Sequence, residues 1–228
     1  TAMPCALDLN GNNQTIAGLS DGGWGGDGTP TARNVVNTSG TVKTLTLNTT
    51  ADQSFSGTIG GTDINGTTGN KLSLVKTGPA TQTLTGASTY SGGTIINGGT
   101  LLVHNTAGSG TGSGSVTVIS GGTLGGTGTI SGNVTFESGT QVFLSTNSTQ
   151  NLTITGAVTL NGSPVVRLSV ALPYGSYPLV TYPRGIFGAF ASVPLIDGDP
   201  MIAASRIFVE GNQVVLKVFP KGTVMRLY

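Results

Sequence analysis

The sequence predicts an all-β protein, a parallel β-helix, on three observations. Short apolar runs recur along the chain and alternate with Thr or Ser, the two-residue period of a strand. Glycines, 38 in 228 residues and with no Gly-X-Y period, stand between the runs, often in pairs. Each run is too short to bury enough apolar surface alone, so the runs must stack to overcome chain entropy. A β-sandwich is the rival architecture. It would want longer strands and hairpin turns such as Asn-Gly, and Asn97-Gly98 and Asn161-Gly162 do occur.

Taken in order, Leu7 and Leu9 alternate, Gly11-Asn12-Asn13 turns the chain, and Ile16 and Leu19 return. Residues 21–30, DGGWGGDGTP, form the most Gly-dense loop. Gly22, Gly23, Gly25 and Asp27 partly match a calcium nonapeptide, which binds only in tandem; a single copy with Thr29 at its apolar position reads as a plain surface loop. Val35–Leu47 supplies two strands and Phe55–Ile59 one more. Asp52 and Asp63 stand outside any motif and read as solvated loop carboxylates.

Leu72–Asn105 is the organising stretch. Leu72 with Leu74, Leu84, Ile95 with Ile96, and Leu101–Val103 are its apolar runs, and Gly78-Pro79, Gly92-Gly93 and Gly98-Gly99 its corners. Residues 108–114, GSGTGSG, are a flexible loop by composition, or a tight corner if the chain coils. Ser115–Leu144 is a staircase: Val116, Val118, Leu124, Ile130, Val134, Phe136, Val142 and Leu144 alternate with Thr, Ser or Gly. The pattern continues from Gln150 to Ala171.

After Pro173 the character changes. Tyr174, Tyr177, Tyr182, Phe187 and Phe190 cluster, and strands are expected at Leu179–Tyr182, Arg206–Val209 and Gln213–Phe219. This divides the chain into solenoid repeats over 1–172 and a capping or assembly segment over 173–228. A bulky aromatic cover would hide the apolar end and free edges of the last coil. In the tail, Val224, Arg226 and Tyr228 share one strand face and could add to a sheet edge of a neighbouring copy.

Three phrases resemble the autotransporter-associated β-strand repeat, also called the passenger-associated transport repeat: KTG at 76–78, TLTGASTYSGGT at 83–94 and INGGTLLV at 96–103. Looser echoes include LDLNG near the start and GSYPLVTY, GAFASV and GNQVVLKV near the end. The resemblance implies a bacterial, secreted or cell-surface β-solenoid. It implies no particular activity.

Chemistry is sparse. Ten basic and nine acidic residues, net +1, are scattered, so no basic stripe exists for nucleic acid. No run approaches the ~20 apolar residues of a membrane span. Residues 1–10 do not resemble a signal peptide, and the chain reads as a fragment of a longer precursor. The lone Cys5 allows neither an intrachain disulfide nor a thiolate metal site. The lone His104 has no partner at metal or triad spacing and reads as a surface polar residue. Asp197 and Asp199 flank Gly198 before Pro200, which makes a turn rather than an acid–base pair. The expectation is a non-enzymatic structural protein with no cofactor, self-associating into fibres or a surface layer. The alternatives are an adhesin or carbohydrate-binding module, with Trp24 or Tyr174, Tyr177 and Tyr182 contacting a glycan, and an autotransporter passenger fragment.

Overall fold

The computed structural model describes residues 5–21, 33–119, 121–144, 151–168, 174–191, 195–196, 199–200 and 205–219. Within them the chain winds as a three-sided coil of short strands. The first turn holds β1 (Cys5–Asp8) and β2 (Gln14–Ile16). The second holds β3 (Arg33–Val36), β4 (Lys43–Asn48) and β5 (Gln53–Phe55), and the third β6 (Thr58–Ile59), β7 (Leu72–Thr77) and β8 (Thr81–Leu84). The fourth turn contributes β9 (Thr94–Ile96) and β10 (Gly99–Val103), and the fifth β11 (Val116–Val118) and β12 (Gly122–Gly126). The sixth has β13 (Thr129–Ile130), β14 (Val134–Phe136) and β15 (Gln141–Leu144), and the seventh β16 (Leu152–Ile154), β17 (Val158–Leu160) and β18 (Val165–Leu168). The last has β19 (Gly175–Thr181), β20 (Ile186–Phe187) and β21 (Leu195–Ile196). Then come β22 (Asp199–Pro200), β23 (Ser205–Glu210) and β24 (Gln213–Val218).

Strands pair with their counterparts one turn away, not with their neighbours in sequence. The second side of the coil is an eight-stranded parallel sheet, β2-β4-β7-β9-β11-β14-β17-β20. The third side runs β5-β8-β10-β12-β15-β18-β21 in parallel, and β22 closes it with an antiparallel pair. This is a parallel β-helix, and the sandwich alternative fails because its hairpins are missing from the coil. The Leu7–Leu19 phrase shows why. β1 and β2 flank a turn, yet β1 pairs with β3 and β2 with β4.

The first side has strands only toward its ends, β1-β3-β6 and β13-β16-β19. Backbone bonds carry the ladder across the gap. The Thr89 N–H donates to Ile59 C=O at 2.9 Å, Ser88 N–H to Ser109 C=O at 2.7 Å, and Gly110 N–H to Thr129 C=O at 2.9 Å. Residues 108–114 are therefore a tight corner, and Ser109 to Gly112 are buried. The Phe55–Ile59 run is two strands rather than one, because the coil turns a corner between Phe55 and Thr58 and places β5 and β6 on different sides.

Registry builds the core. Leu45, Leu74, Thr94, Val116, Val134, Val158 and Ile186 align in one column of the second side. Leu47, Lys76, Ile96, Val118, Phe136 and Leu160 align in a second. All are buried except Ile186, which packs against the core from its rim. Because successive side chains alternate between faces, the residues between them point outward: Thr46, Val75, Ile95, Thr117, Thr135 and Thr159. Turn length is free to vary, since only strand positions must align. One turn takes 18 residues from Val116 to Val134 and 31 from Gln14 to Leu45.

Parallel stacking continues past Pro173: β19 lies on β16, β20 on β17 and β21 on β18. Antiparallel pairing then takes over. β24 lies antiparallel on β19, and β23 pairs with β24 through the Gly211-Asn212 turn. Val214 and Leu216 of β24 complete the core, and the Phe190 ring meets Phe136 edge-on at 6.4 Å.

Candidate functional site

The sites that matter here are polar groups inside the coil, one groove on its surface, and the strand edges at its two ends. Lys76 lies in the second inward column, between Leu47 and Ile96, and is fully buried. A buried ammonium needs its three donors satisfied. Its Nζ donates to the carbonyls of Thr77 at 2.7 Å, Gly78 at 3.1 Å and Gly98 at 3.3 Å. Burial lowers its pKa to about 8, against a smaller opposing pull from Asp52. The cradle depends on Gly99, whose missing Cβ would lie 2.3 Å from Gly78 O and 2.7 Å from the Lys76 amine. Sequence reading placed KTG and the following Gly pair in a repeat but did not find this link. The signal available was a lysine at an apolar register position.

Tyr90 fills the interior where the first side lacks strands. It is fully buried, and its hydroxyl bonds Thr94 Oγ1 at 2.6 Å. Burial raises its pKa well above the usual phenol value. Asn105 clips the next corner. Its Nδ2 donates to Ala107 O at 2.9 Å and Gly108 O at 3.1 Å, and its Oδ1 accepts from Thr129 N–H at 2.9 Å, one turn along. Asn37 does the same two turns from the start: its Oδ1 accepts from Gly11 N–H and its Nδ2 donates to Thr41 O. Both side chains satisfy backbone groups at corners, where no ladder partner exists.

Among the expected chemical residues, His104 is half-buried rather than a surface group. Its Nδ1 lies 2.9 Å from Thr127 Oγ1, and burial lowers its pKa. Asp52 and Asp63 are not merely solvated. Asp52 Oδ1 accepts from Thr81 N–H at 2.7 Å, and Asp63 Oδ1 accepts from Thr67 N–H at 2.7 Å and Asn65 N–H at 2.8 Å. These bonds hold a corner and a turn. No group of three or more His, Cys, Asp or Glu placed to hold a metal occurs among the described residues.

The aromatic cluster after Pro173 divides. Tyr182 is 3% exposed and its hydroxyl has no hydrogen-bond partner among the described residues; Tyr177 packs against the core; Tyr174 is 65% exposed. These three therefore do not share one exposed face. Trp24, Asp27, Val224, Arg226 and Tyr228 lie outside the described residues, as does the side chain of Cys5 on β1.

A groove of about 470 Å³ follows the coil axis along the corner between the first and second sides. Ser113 and Ser115, then Ser131 and Asn133, then Thr155, then Arg184 line it turn by turn. Asn133 Oδ1 is taken by Ala157 N–H at 2.9 Å. The groove can hydrogen-bond a polar ligand, but no carboxylate lines it to act as acid or base.

The ends are the remaining candidates. β1 and β2 are edge strands at the start, and β23 and β22 at the finish. Leu7 on β1 is 44% exposed although its registered neighbours Val35 and Ile59 are buried. Val209 on β23 is 57% exposed although it lies opposite the buried Val214. Both are core-facing positions left uncovered at an end.

Residues 74–103 match the passenger-associated-transport-repeat. The matched segment starts within β7 and ends with β10, which is one full turn of the coil and the following side. It contains Lys76 with its Gly78 and Gly98 carbonyls, and Tyr90 with Thr94. In this chain these residues let the matched turn close around a filled interior. No curated protein matches the chain in sequence.

Proposed function

We propose that this passenger-associated-repeat protein is a structural rod of the bacterial surface or exterior, self-associating and without catalysis. The observation that supports this most directly is that, among the described residues, a core-facing side chain stays exposed at each end of the coil, Leu7 at one and Val209 at the other. The two interior columns of the second side are apolar apart from Thr94 and Lys76, whose polar atoms bond inside the coil, and no acid stands among these residues. The outward column of the second side is mostly Thr, and with ten basic and nine acidic residues the chain carries little net charge to keep copies apart. The passenger-associated-transport-repeat over residues 74–103 supports a secreted or surface location.

Negative-stain electron microscopy of the purified chain across a concentration series tests the reading. Filaments or ordered sheets that lengthen with concentration are expected. Uniformly dispersed monomers at the highest concentration would sink it.

A further inference from the structure

We infer that copies of this chain join head to tail by strand addition on one side of the coil, with β1 of one copy pairing in parallel with β23 of the next. This rests on the self-association proposed above and names the surfaces that carry it.

Four observations point to this pair of edges. Both belong to the first side: β1 opens the stack β1-β3-β6, and β23 closes β13-β16-β19-β24-β23. Both run the same way. β24 is antiparallel to β19, and β23 is antiparallel to β24, so two reversals return β23 to the direction of β19 and of every strand on this side. The cap therefore ends on a strand that can template another parallel turn, the geometry already present between β1 and β3. A hairpin of one extra strand would have covered the core with the opposite polarity exposed.

The side chains agree with the backbone. Along β23, Ile207 and Val209 lie opposite the buried Leu216 and Val214, so they share the core-facing side. Ile207 packs against the core, whereas Val209 projects past it and stays exposed. On β1, Leu7 faces the same interior column as Val35 and Ile59 and is likewise exposed. Alignment of Leu7 with Val209 pairs all four residues of β1 with Ile207–Glu210 and sets Leu7 against Val209 on the core side. Among the described residues, Cys5–Asp8 and Ile207–Glu210 have a strand on one side only, so each can supply the other with backbone partners and an apolar cover. A second copy provides both, and because the two edges differ the contact is heterologous and does not close on itself.

The test uses two blocked copies. Leu7→Lys puts an ammonium on the core-facing side of the leading edge, and Val209→Lys does so at the trailing edge. Both residues are exposed, so the folded coil tolerates them; matching far-UV circular dichroism and melting curves check that. Leu7→Thr is the milder second variant if the lysine disturbs β1. Sedimentation velocity is read on each alone and on a one-to-one mixture. The expected result is monomer for either variant alone and dimer, but no longer species, for the mixture, because one free head then meets one free tail. Assembly of the unsubstituted chain that persists in both variants overturns the edge pairing and leaves self-association standing. Dimers formed by Leu7→Lys alone show like edges pairing with each other and also overturn it. A monomeric unsubstituted chain removes the reading on which the inference rests.

Discussion

At the scale of single residues, the coil's stability is set by polar groups held inside it as much as by its apolar columns. Lys76 is the sharpest case. In the unfolded chain a lysine keeps its proton to about pH 10.5, while burial brings Lys76 down to about 8. Between these values the unfolded state binds more protons, so stability rises as pH rises. The rise from pH 8 to 9.5 amounts to roughly 2 kcal/mol, at about 1.4 kcal/mol per pH unit. Tyr90 sets the upper limit. Its folded-state pKa is raised, so above about pH 10 the unfolded state loses protons first and stability falls again. Urea melts at pH 7, 8, 9 and 9.5 should therefore show the protein growing more stable across the upper half of this range. Lys76→Met should lose that slope. It should also be less stable at every pH by about 1–3 kcal/mol, because the Thr77, Gly78 and Gly98 carbonyls are left without their donor. A Met variant with an unchanged pH slope would show that the slope comes from another group.

At the scale of elements, the strands follow from alternation and the corners from close backbone approach. The second-side columns could be read ahead of any structure: Val116, Val118, Val134, Phe136 and their Thr neighbours announce a half-buried strand by their period alone. What could not be read was which residues leave the strand pattern yet stay buried. Tyr90 and Asn105 lie in stretches of Ser, Thr, Gly and Asn that look like solvent-exposed loops by composition. They are interior because neighbouring turns close over them, a relation between residues about twenty apart that no local period reveals. The same blindness made His104 look exposed, and composition alone left residues 108–114 open between a flexible loop and the tight corner that they form. Gly112 shows how tight that corner is. It has φ +65°, and a Cβ there would lie 2.0 Å from Tyr90 O. Gly112→Ala therefore meets both a strained backbone angle and fixed backbone atoms of the next turn, and should cost more than about 3 kcal/mol or prevent folding. Gly40 is the control. Its φ is not in the left-handed region, and a Cβ there meets nothing within 4 Å. Gly40→Ala should change stability by no more than about 0.5 kcal/mol in the same chemical denaturation experiment. Equal losses at the two positions would mean that corner packing does not limit the fold.

At the scale of the whole molecule, the ladders join each turn to the turns beside it. Only a few contacts among the described residues, such as Gln82 to Leu19 and Phe190 to Phe136, reach two turns away. Stability is therefore close to a chain of neighbour interactions with two special ends. The β23–β24 hairpin acts at one of them. It covers β19 and supplies Val214 and Leu216, which are buried, to the last of the core. Removing residues 205–228 would strip that cover from Leu179, Val180 and Tyr182, all buried in the intact chain, and would bare the whole β19 edge. The turns before β19 lose no direct partner, because their ladders run to the turns on either side. The truncated chain should thus keep its parallel β signal in far-UV circular dichroism and retain the pH-dependent stability of the Lys76 turn. It should also aggregate without order, since a broad apolar patch along the bared β19 edge replaces the covered end of the intact chain. Light scattering together with electron microscopy distinguishes amorphous material from filaments. A truncated chain that is folded, monomeric and soluble would show that the hairpin is not a cap. One that forms filaments like those expected of the full chain would show that the bared β19 edge, which runs in the same direction as β23, can template the next copy in its place. Loss of the β signal throughout would mean that the turns fold as one cooperative block, so that the end governs the middle and the neighbour-by-neighbour description does not hold.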